Sequence, residues 1–202
     1  MSQTSGRKPI IVGIGGTTRP WSSTEQALAL ALQAAARAGA ETRLFGGEFL
    51  TRLPHYPSDG SDDTVDGAEL VAAVRNADGL IIASPGYHGS ISGLVKNAVD
   101  YIEATAKDAR AYLDGVPVGL IATAYGWQAS GSTLATLRSI VHALRGWPTP
   151  LGAGINTSGG IFRDGECTDA GAAGQLDLVG RQVVQFASLH IQDPSVTDTG
   201  HE

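Results

Sequence analysis

Cysteine is nearly missing from this 202-residue chain: Cys167 stands alone. One cysteine closes no intramolecular disulfide, so nothing in the sequence asks for an oxidising compartment. His55, His88, His142, His190 and His201 are scattered, without finger-like or helical spacing, so a Cys/His metal cluster is not expected. Positive charge is also short, with 14 Lys+Arg against 20 Asp+Glu and a formal net charge of -6. A general nucleic-acid binder needs a basic face to neutralise phosphates, so that class is excluded. A small phosphorylated ligand is not, because one arginine and one helix N-terminus suffice for it. No uninterrupted apolar run is long enough to span a bilayer, and no signal-type apolar region follows the polar residues 1–8. No membrane partner is expected, and a cytoplasmic protein is the default reading. A Walker sequence, a G-x-S-x-G elbow and an H-E-x-x-H pair are absent as well.

What the chain does have is 42% apolar and 17% charged residues, the composition of a globular protein. Its length suits a single α/β domain over residues 1–202, with about 1–8 and 193–202 expected to be flexible. Short apolar runs at 9–14, 41–45, 79–84, 117–123 and 150–155 predict five strands. Between and after them, helical spacing predicts helices over 22–38, 65–76, 92–104, 132–145 and 169–189. This alternation implies right-handed crossovers and a doubly wound parallel sheet of order 2-1-3-4-5, with helices on both faces. In that order a ligand sits outside the carboxyl ends of the strands, where strands 1 and 3 diverge. The loops at 15–24, 84–92 and 124–132 should therefore carry the function. All are rich in glycine and hydroxyl residues, as close backbone approach to a ligand requires. The acidic stretch 54–64 reads as a solvated connection.

The first loop, Gly15-Gly16-Thr17-Thr18-Arg19-Pro20-Trp21-Ser22-Ser23-Thr24, runs from a buried strand into a helix. Free N–H groups at a helix start favour an anion. Thr17, Ser22, Ser23 and Thr24 add hydroxyls, and Arg19 adds a charge with a fork of donors. A serine here can cap the helix and serve an anion site at once. The dinucleotide fingerprint fits less well, because Gly13-Ile-Gly15-Gly-Thr-Thr18 lacks its third glycine.

The second loop reads Pro85-Gly86-Tyr87-His88-Gly89-Ser90-Ile91-Ser92-Gly93-Leu94-Val95-Lys96-Asn97-Ala98-Val99-Asp100. Here the chain resembles the NAD(P)H-dependent FMN reductase family. The first loop is similar to that family's phosphate loop at Gly16, Thr17, Arg19, Ser22 and Thr24. Residues 126–145 look like its third loop and following helix, with Ser130 in place of a glycine. The resemblance implies a flavodoxin-like fold that binds FMN and transfers a hydride to it from NADH or NADPH. Electrons would pass on to free flavin or a small acceptor such as a quinone. It also implies a homodimer or homotetramer, and a flavin-dependent monooxygenase as a partner. By resemblance, Thr17, Arg19, Ser22, Ser23 and Thr24 hold the flavin phosphate. Pro85, Gly86, Tyr87, His88, Gly89 and Ser90 line the isoalloxazine ring, and Ala124, Tyr125 and Gly126 approach its other side. No side chain is given a catalytic role, because the cofactor carries the chemistry.

Two positions depart from the family, which often has Glu where Gly86 stands and Asn where His88 stands. Gly86 is expected to act through positive φ at the ring edge. Tyr87 and His88 also read as ordinary turn residues, Trp127 as a subunit contact, and Lys96 and Asn97 as structural ties. A non-enzymatic flavodoxin-type electron carrier remains the alternative. Its phosphate loop would resemble Thr-x-Thr-Gly-x-[ST], so Arg19 and Gly89-Ser90-Ile91-Ser92-Gly93 favour the reductase.

Overall fold

The computed structural model describes residues 7–57 and 64–192, so the expected flexible tail and most of the N-terminal segment lie outside the described residues. The apolar runs become five strands: β1 (Ile10–Gly15), β3 (Gly79–Tyr87) and β5 (Pro117–Ala124), buried almost throughout, with the more exposed edge strands β2 (Glu41–Phe45) and β6 (Trp147–Asn156). They pair in parallel in the order β2-β1-β3-β5-β6, the doubly wound order that the alternation predicts. A short strand β4 (Ser90–Ile91) folds back antiparallel onto the end of β3. A separate hairpin, β7 (Phe162–Arg163) and β8 (Glu166–Cys167), follows β6.

Successive strand residues point to opposite faces, and this splits the core in two. Val12, Ile14, Leu80, Ile82, Val118 and Leu120 pack under α3 (Val65–Asn76), α4 (Gly93–Asp100) and α5 (Trp127–Ala143). Ile11, Ile81, Ile121, Ala153 and Ile155 pack under α1 (Ser23–Arg37) and α6 (Ala170–Gln192). At Gly180 of α6 a Cβ would collide with the carbonyl oxygen of Ala31, so α1 and α6 meet there backbone to backbone. Ser22, Thr64 and Ser92 cap α1, α3 and α4 through their side-chain oxygens.

Several boundaries differ from the sequence expectation, among them the ends of β3 at Tyr87 and α6 at Gln192, each three residues later than expected. The third predicted helix stops at Asp100 and tightens into a 3-10 turn over Tyr101–Thr105. α5 starts at Trp127, ahead of Ser132, so the third loop shrinks to Tyr125 and Gly126. Ser130, Gly131 and Ser132 are poor helix formers and read as loop, but Ser130 and Thr133 are buried in the first turns, and that packing overrides propensity. β6 begins at Trp147 despite Pro148 and Pro150, which an edge strand tolerates. The one-turn helix α2 (Gly47–Leu50) carried no sequence signal. No helix among the described residues is long and apolar enough to cross a membrane.

At the opposite end of the sheet, Arg110 closes the C-terminus of α3. Its guanidinium donates to the carbonyls of Val74, Arg75 and Ala77 at 2.8–2.9 Å. Burial pulls its pKa below the ordinary arginine value, and the nearby Asp78 and Asp108 oppose that shift. Arg110→Met removes these three bonds, leaving the Val74 carbonyl only the Ala77 N–H, and should lower stability by about 2–4 kcal/mol in urea denaturation.

Candidate functional site

The crevice arises where the chain leaves β1. Gly15 (φ 158) and Gly16 (φ 140) occupy backbone regions that favour glycine. A Cβ on Gly15 would strike the Ala83 carbonyl, and one on Gly16 would lie 2.6 Å from the Gly47 nitrogen. The loop is thus wedged between β3 and the start of α2. Thr17 closes a tight turn on Arg19, accepting its N–H at 3.1 Å and donating to its carbonyl at 3.2 Å. Ser22 accepts the Glu25 N–H at 3.3 Å. The N–H groups of Ser23 and Thr24 precede any intrahelical carbonyl they could reach, so no intrahelical bond occupies them, and both residues line the crevice. The Arg19 side chain is exposed at its edge.

Two hydroxyls anchor this helix start to the sheet. Thr24 Oγ1 and Thr123 Oγ1 lie 2.6 Å apart, both buried. Whichever accepts in that bond keeps its own proton for another partner.

The cleft holds about 400 Å³, a volume typical of small-molecule sites. One wall is Thr17, Arg19, Trp21, Ser22, Ser23, Thr24 and Gln26. The facing wall is Pro85, Gly86, Tyr87, Ala124 and Tyr125, with Thr123, Thr157 and Phe162 completing the lining. All five phosphate-loop candidates therefore meet the first half of the ring-loop candidates and the end of β5. His88, Gly89, Ser90 and Gly126 do not line the cleft. His88 (φ 50) and Gly89 (φ 87) are the corner of the β3–β4 hairpin, a two-residue turn that needs positive φ at both positions. Asparagine and histidine are among the side chains that tolerate this conformation best, so His88 is accounted for as a solvent-facing turn residue.

Gly86 does not adopt the positive φ expected of it. It pairs with Ile91 in the ladder, one step from the turn pair Tyr87–Ser90. In such a hairpin the turn pair is the hydrogen-bonded one, so the N–H and C=O of Gly86 face away from β4. Glycine is required there for space. A Cβ would lie 2.6 Å from Thr133 Oγ1, 3.3 Å from the Ala129 carbonyl oxygen and 3.4 Å from the Ala124 Cβ. Thr133 is fully buried and its hydroxyl has no partner among the described residues.

Sequence reading missed Trp21, Gln26, Thr123, Thr157 and Phe162. Thr123 ends a predicted strand and could have been found from that position; the others carried no pattern. Asn97 is a structural tie, accepting the Tyr56 N–H and donating to the Pro54 carbonyl, each at 2.9 Å. Lys96 pairs with Asp100 one turn on. A second groove of about 460 Å³ lies at the amino-terminal end of β5 and β6, lined by Trp147, Pro148, Phe186 and Leu189. It lacks the convergent polar groups of the first.

An open parallel sheet of this order, with the start of α1 lining the cleft at its order switch, defines a flavodoxin-like α/β domain. A family model described as NADPH-dependent FMN reductase matches residues 9–158, and the chain belongs to that family. It is 42% identical over 77 residues to an FMN-dependent NADPH-azoreductase of Staphylococcus haemolyticus, covering 38% of this chain and 37% of the relative. Against the Staphylococcus aureus (strain USA300) enzyme of that name it is 42% identical over 82 residues, covering 41% and 40%. The chain thus spans well under half the length of these curated relatives. An NAD(P)H:(acceptor) oxidoreductase from Paracoccus denitrificans shares the fold, with a TM-score of 0.71, 22% identity and coverage of 90% and 98%. So does an oxidoreductase from Corynebacterium diphtheriae, with a TM-score of 0.70, 20% identity and the same coverage.

The crowding at Gly86 can be measured. Gly86→Ala should cost about 1–3 kcal/mol in thermal or urea unfolding. Thr133→Ala, which removes the clashing atom, should make the same substitution markedly less costly. Equal costs in both backgrounds would place the constraint elsewhere.

Proposed function

We propose that this protein is an NAD(P)H-dependent FMN oxidoreductase that passes electrons to free flavin or to a small acceptor such as a quinone. The observation that carries the reading is the crevice itself. Ser23 and Thr24, whose N–H groups no intrahelical bond occupies, line one cleft together with Arg19 and the strand ends Pro85–Tyr87 and Ala124–Tyr125. That donor set fits a dianionic phosphate at one end of a planar ligand. When bound, FMN supplies the hydride-accepting and electron-passing chemistry.

In this reading Arg19, Ser23 and Thr24 fix the phosphate, while Ser22 and Thr17 hold the loop in shape. The outward-facing peptide groups of Gly86 meet the polar edge of the ring. Tyr87 and Tyr125, 52% and 86% exposed, flank the mouth. A Cβ at Gly126 or Gly131 would meet nothing within 4 Å, so room remains beside the mouth for a nicotinamide ring. His88, Gly89, Ser90 and Gly126 contribute by shaping the turns that present their neighbours. Membership of the reductase family and the azoreductase names of the curated relatives support the enzyme over the carrier. The exposed Trp127, 68% accessible beside the cleft, supports a homodimer or homotetramer. A flavin-dependent monooxygenase suits an open cleft that can release reduced FMN, and the lone thiol agrees with a cytoplasmic setting.

Anaerobic NADPH or NADH should bleach the absorbance of FMN-loaded protein within seconds, and added free FMN or quinone should sustain turnover. Rapid reduction by dithionite, with neither nicotinamide acting within minutes, would select the carrier instead. Arg19→Ala should weaken FMN binding by about 1–3 kcal/mol and change riboflavin binding little. Equal losses for the two ligands in a titration would remove the phosphate assignment.

A further inference from the structure

The β7–β8 hairpin lies beyond residue 158, where the family match ends, yet Phe162 reaches the cleft. The hairpin turns through Asp164 (φ 51) and Gly165 (φ 84). Its base is closed by Thr168, whose N–H and hydroxyl both donate to the Ile161 carbonyl. Ile161, Phe162 and Cys167 pack on the α1–α6 side of the core. A hairpin this short does not hold a fixed position by itself, and its polar tie to the body comes from Gln26.

Gln26 sits in the first turn of α1 and is 8% exposed. Its Oε1 accepts the N–H of Gly165 at 3.3 Å, and its Nε2 donates to the carbonyl of Trp21 at 2.9 Å. Trp21 stands at φ 53, a left-handed conformation that a bulky residue keeps only when its surroundings hold it. A Cβ on Gly165 would lie 3.5 Å from Trp21 Cζ2, so the indole already rests against the hairpin turn. One buried amide thus joins the strained corner of the first loop to the hairpin whose Phe162 also lines the cleft.

We propose that Gln26 is a positioning residue of this cleft: it locks Trp21 in its left-handed conformation and ties the β7–β8 hairpin to the anion loop, so that Trp21 and Phe162 stand as one aromatic wall. The proposal rests on the reading of the cleft as an FMN site. Both ends of the Gln26 amide are turned to backbone, so it acts through Trp21 and Gly165 rather than on the ligand. Ser22 follows Trp21 directly and Arg19 precedes it by two residues, so relaxation of Trp21 shifts the donors on both sides of it.

The test is a double-mutant cycle on the full-length protein, read by FMN and riboflavin titration. Gln26→Leu removes both hydrogen bonds at similar volume, and Gln26→Met serves if the leucine variant does not fold. FMN affinity should fall roughly tenfold in the wild-type background, with a smaller loss for riboflavin. In a Trp21→Gly background the same substitution should cost less than about threefold, because glycine adopts φ 53 without a lock. Hydrogen exchange of the peptide spanning residues 159–168 should speed up in the Gln26 variant while the strands stay protected. Unchanged FMN affinity with unchanged hairpin exchange, or an equal cost in both backgrounds, overturns the proposal. Wild-type protein that binds no FMN defeats the FMN reading instead. Hairpin exchange then decides the tie alone: faster exchange in the variant upholds it, and unchanged exchange removes it.

Discussion

The hydrogen bond between Thr24 and Thr123 fixes the geometry on which the rest of the crevice depends. It joins the first turn of α1 to β5, a strand that does not neighbour β1 in the sheet. The helix start is thereby pinned above the point where the strand order switches. Both hydroxyls are buried, and burying a hydroxyl without a partner is costly, so each holds the other in place. The path of the loop follows from this anchor. The chain must leave β1, clear the Ala83 carbonyl and pass the start of α2 before it reaches Ser22, and only residues without a Cβ make that passage at Gly15 and Gly16.

Close backbone approach recurs wherever two layers must meet. Gly180 lets α6 lie on α1, and Gly86 lets the N-terminal part of α5 lie on the end of β3. The second case differs in its polar bookkeeping. Thr133 is buried beside Gly86 with an unsatisfied hydroxyl, whereas Thr24 and Thr123 satisfy each other. Thr24 and Thr123 at the cleft thus form a paired polar contact, while behind Gly86 the Thr133 hydroxyl has no partner among the described residues.

The doubly wound architecture was legible because strands covered on both faces read as continuous apolar runs, such as Gly79-Leu-Ile-Ile-Ala83, with helical spacing between them. The place of the first loop in the cleft was legible because glycine, hydroxyls and an arginine rarely crowd into one strand-to-helix junction by chance. What escaped notice was set by tertiary contact. The start of α5 hides behind Ser130, Gly131 and Ser132. The strands β7 and β8 are too short to carry any period. Gln26 looks like a solvent-facing helix residue until the hairpin covers it. Gly86 was read as a residue needing positive φ, but the left-handed corner falls at His88 and Gly89. The replacement of a customary asparagine by histidine then concerns turn geometry and leaves the cleft lining untouched.

These parts sort by rigidity. The groups suited to an anion belong to a helix start locked to the sheet, and such elements hold donors to the tolerance that recognition of a phosphate needs. The groups at the mouth belong to turns and a hairpin: Tyr87 beside a two-residue corner, Tyr125 on the short link into α5, Phe162 at the base of β7. Segments of that kind change readily without disturbing a core. Under the proposed reading, the cofactor end of the cleft is conserved by the fold itself, while the choice of electron acceptor falls to residues whose only obligation is to remain flat, apolar and open. A chain that matches its curated relatives over well under half its length can on that account keep the same cofactor and still take a different acceptor.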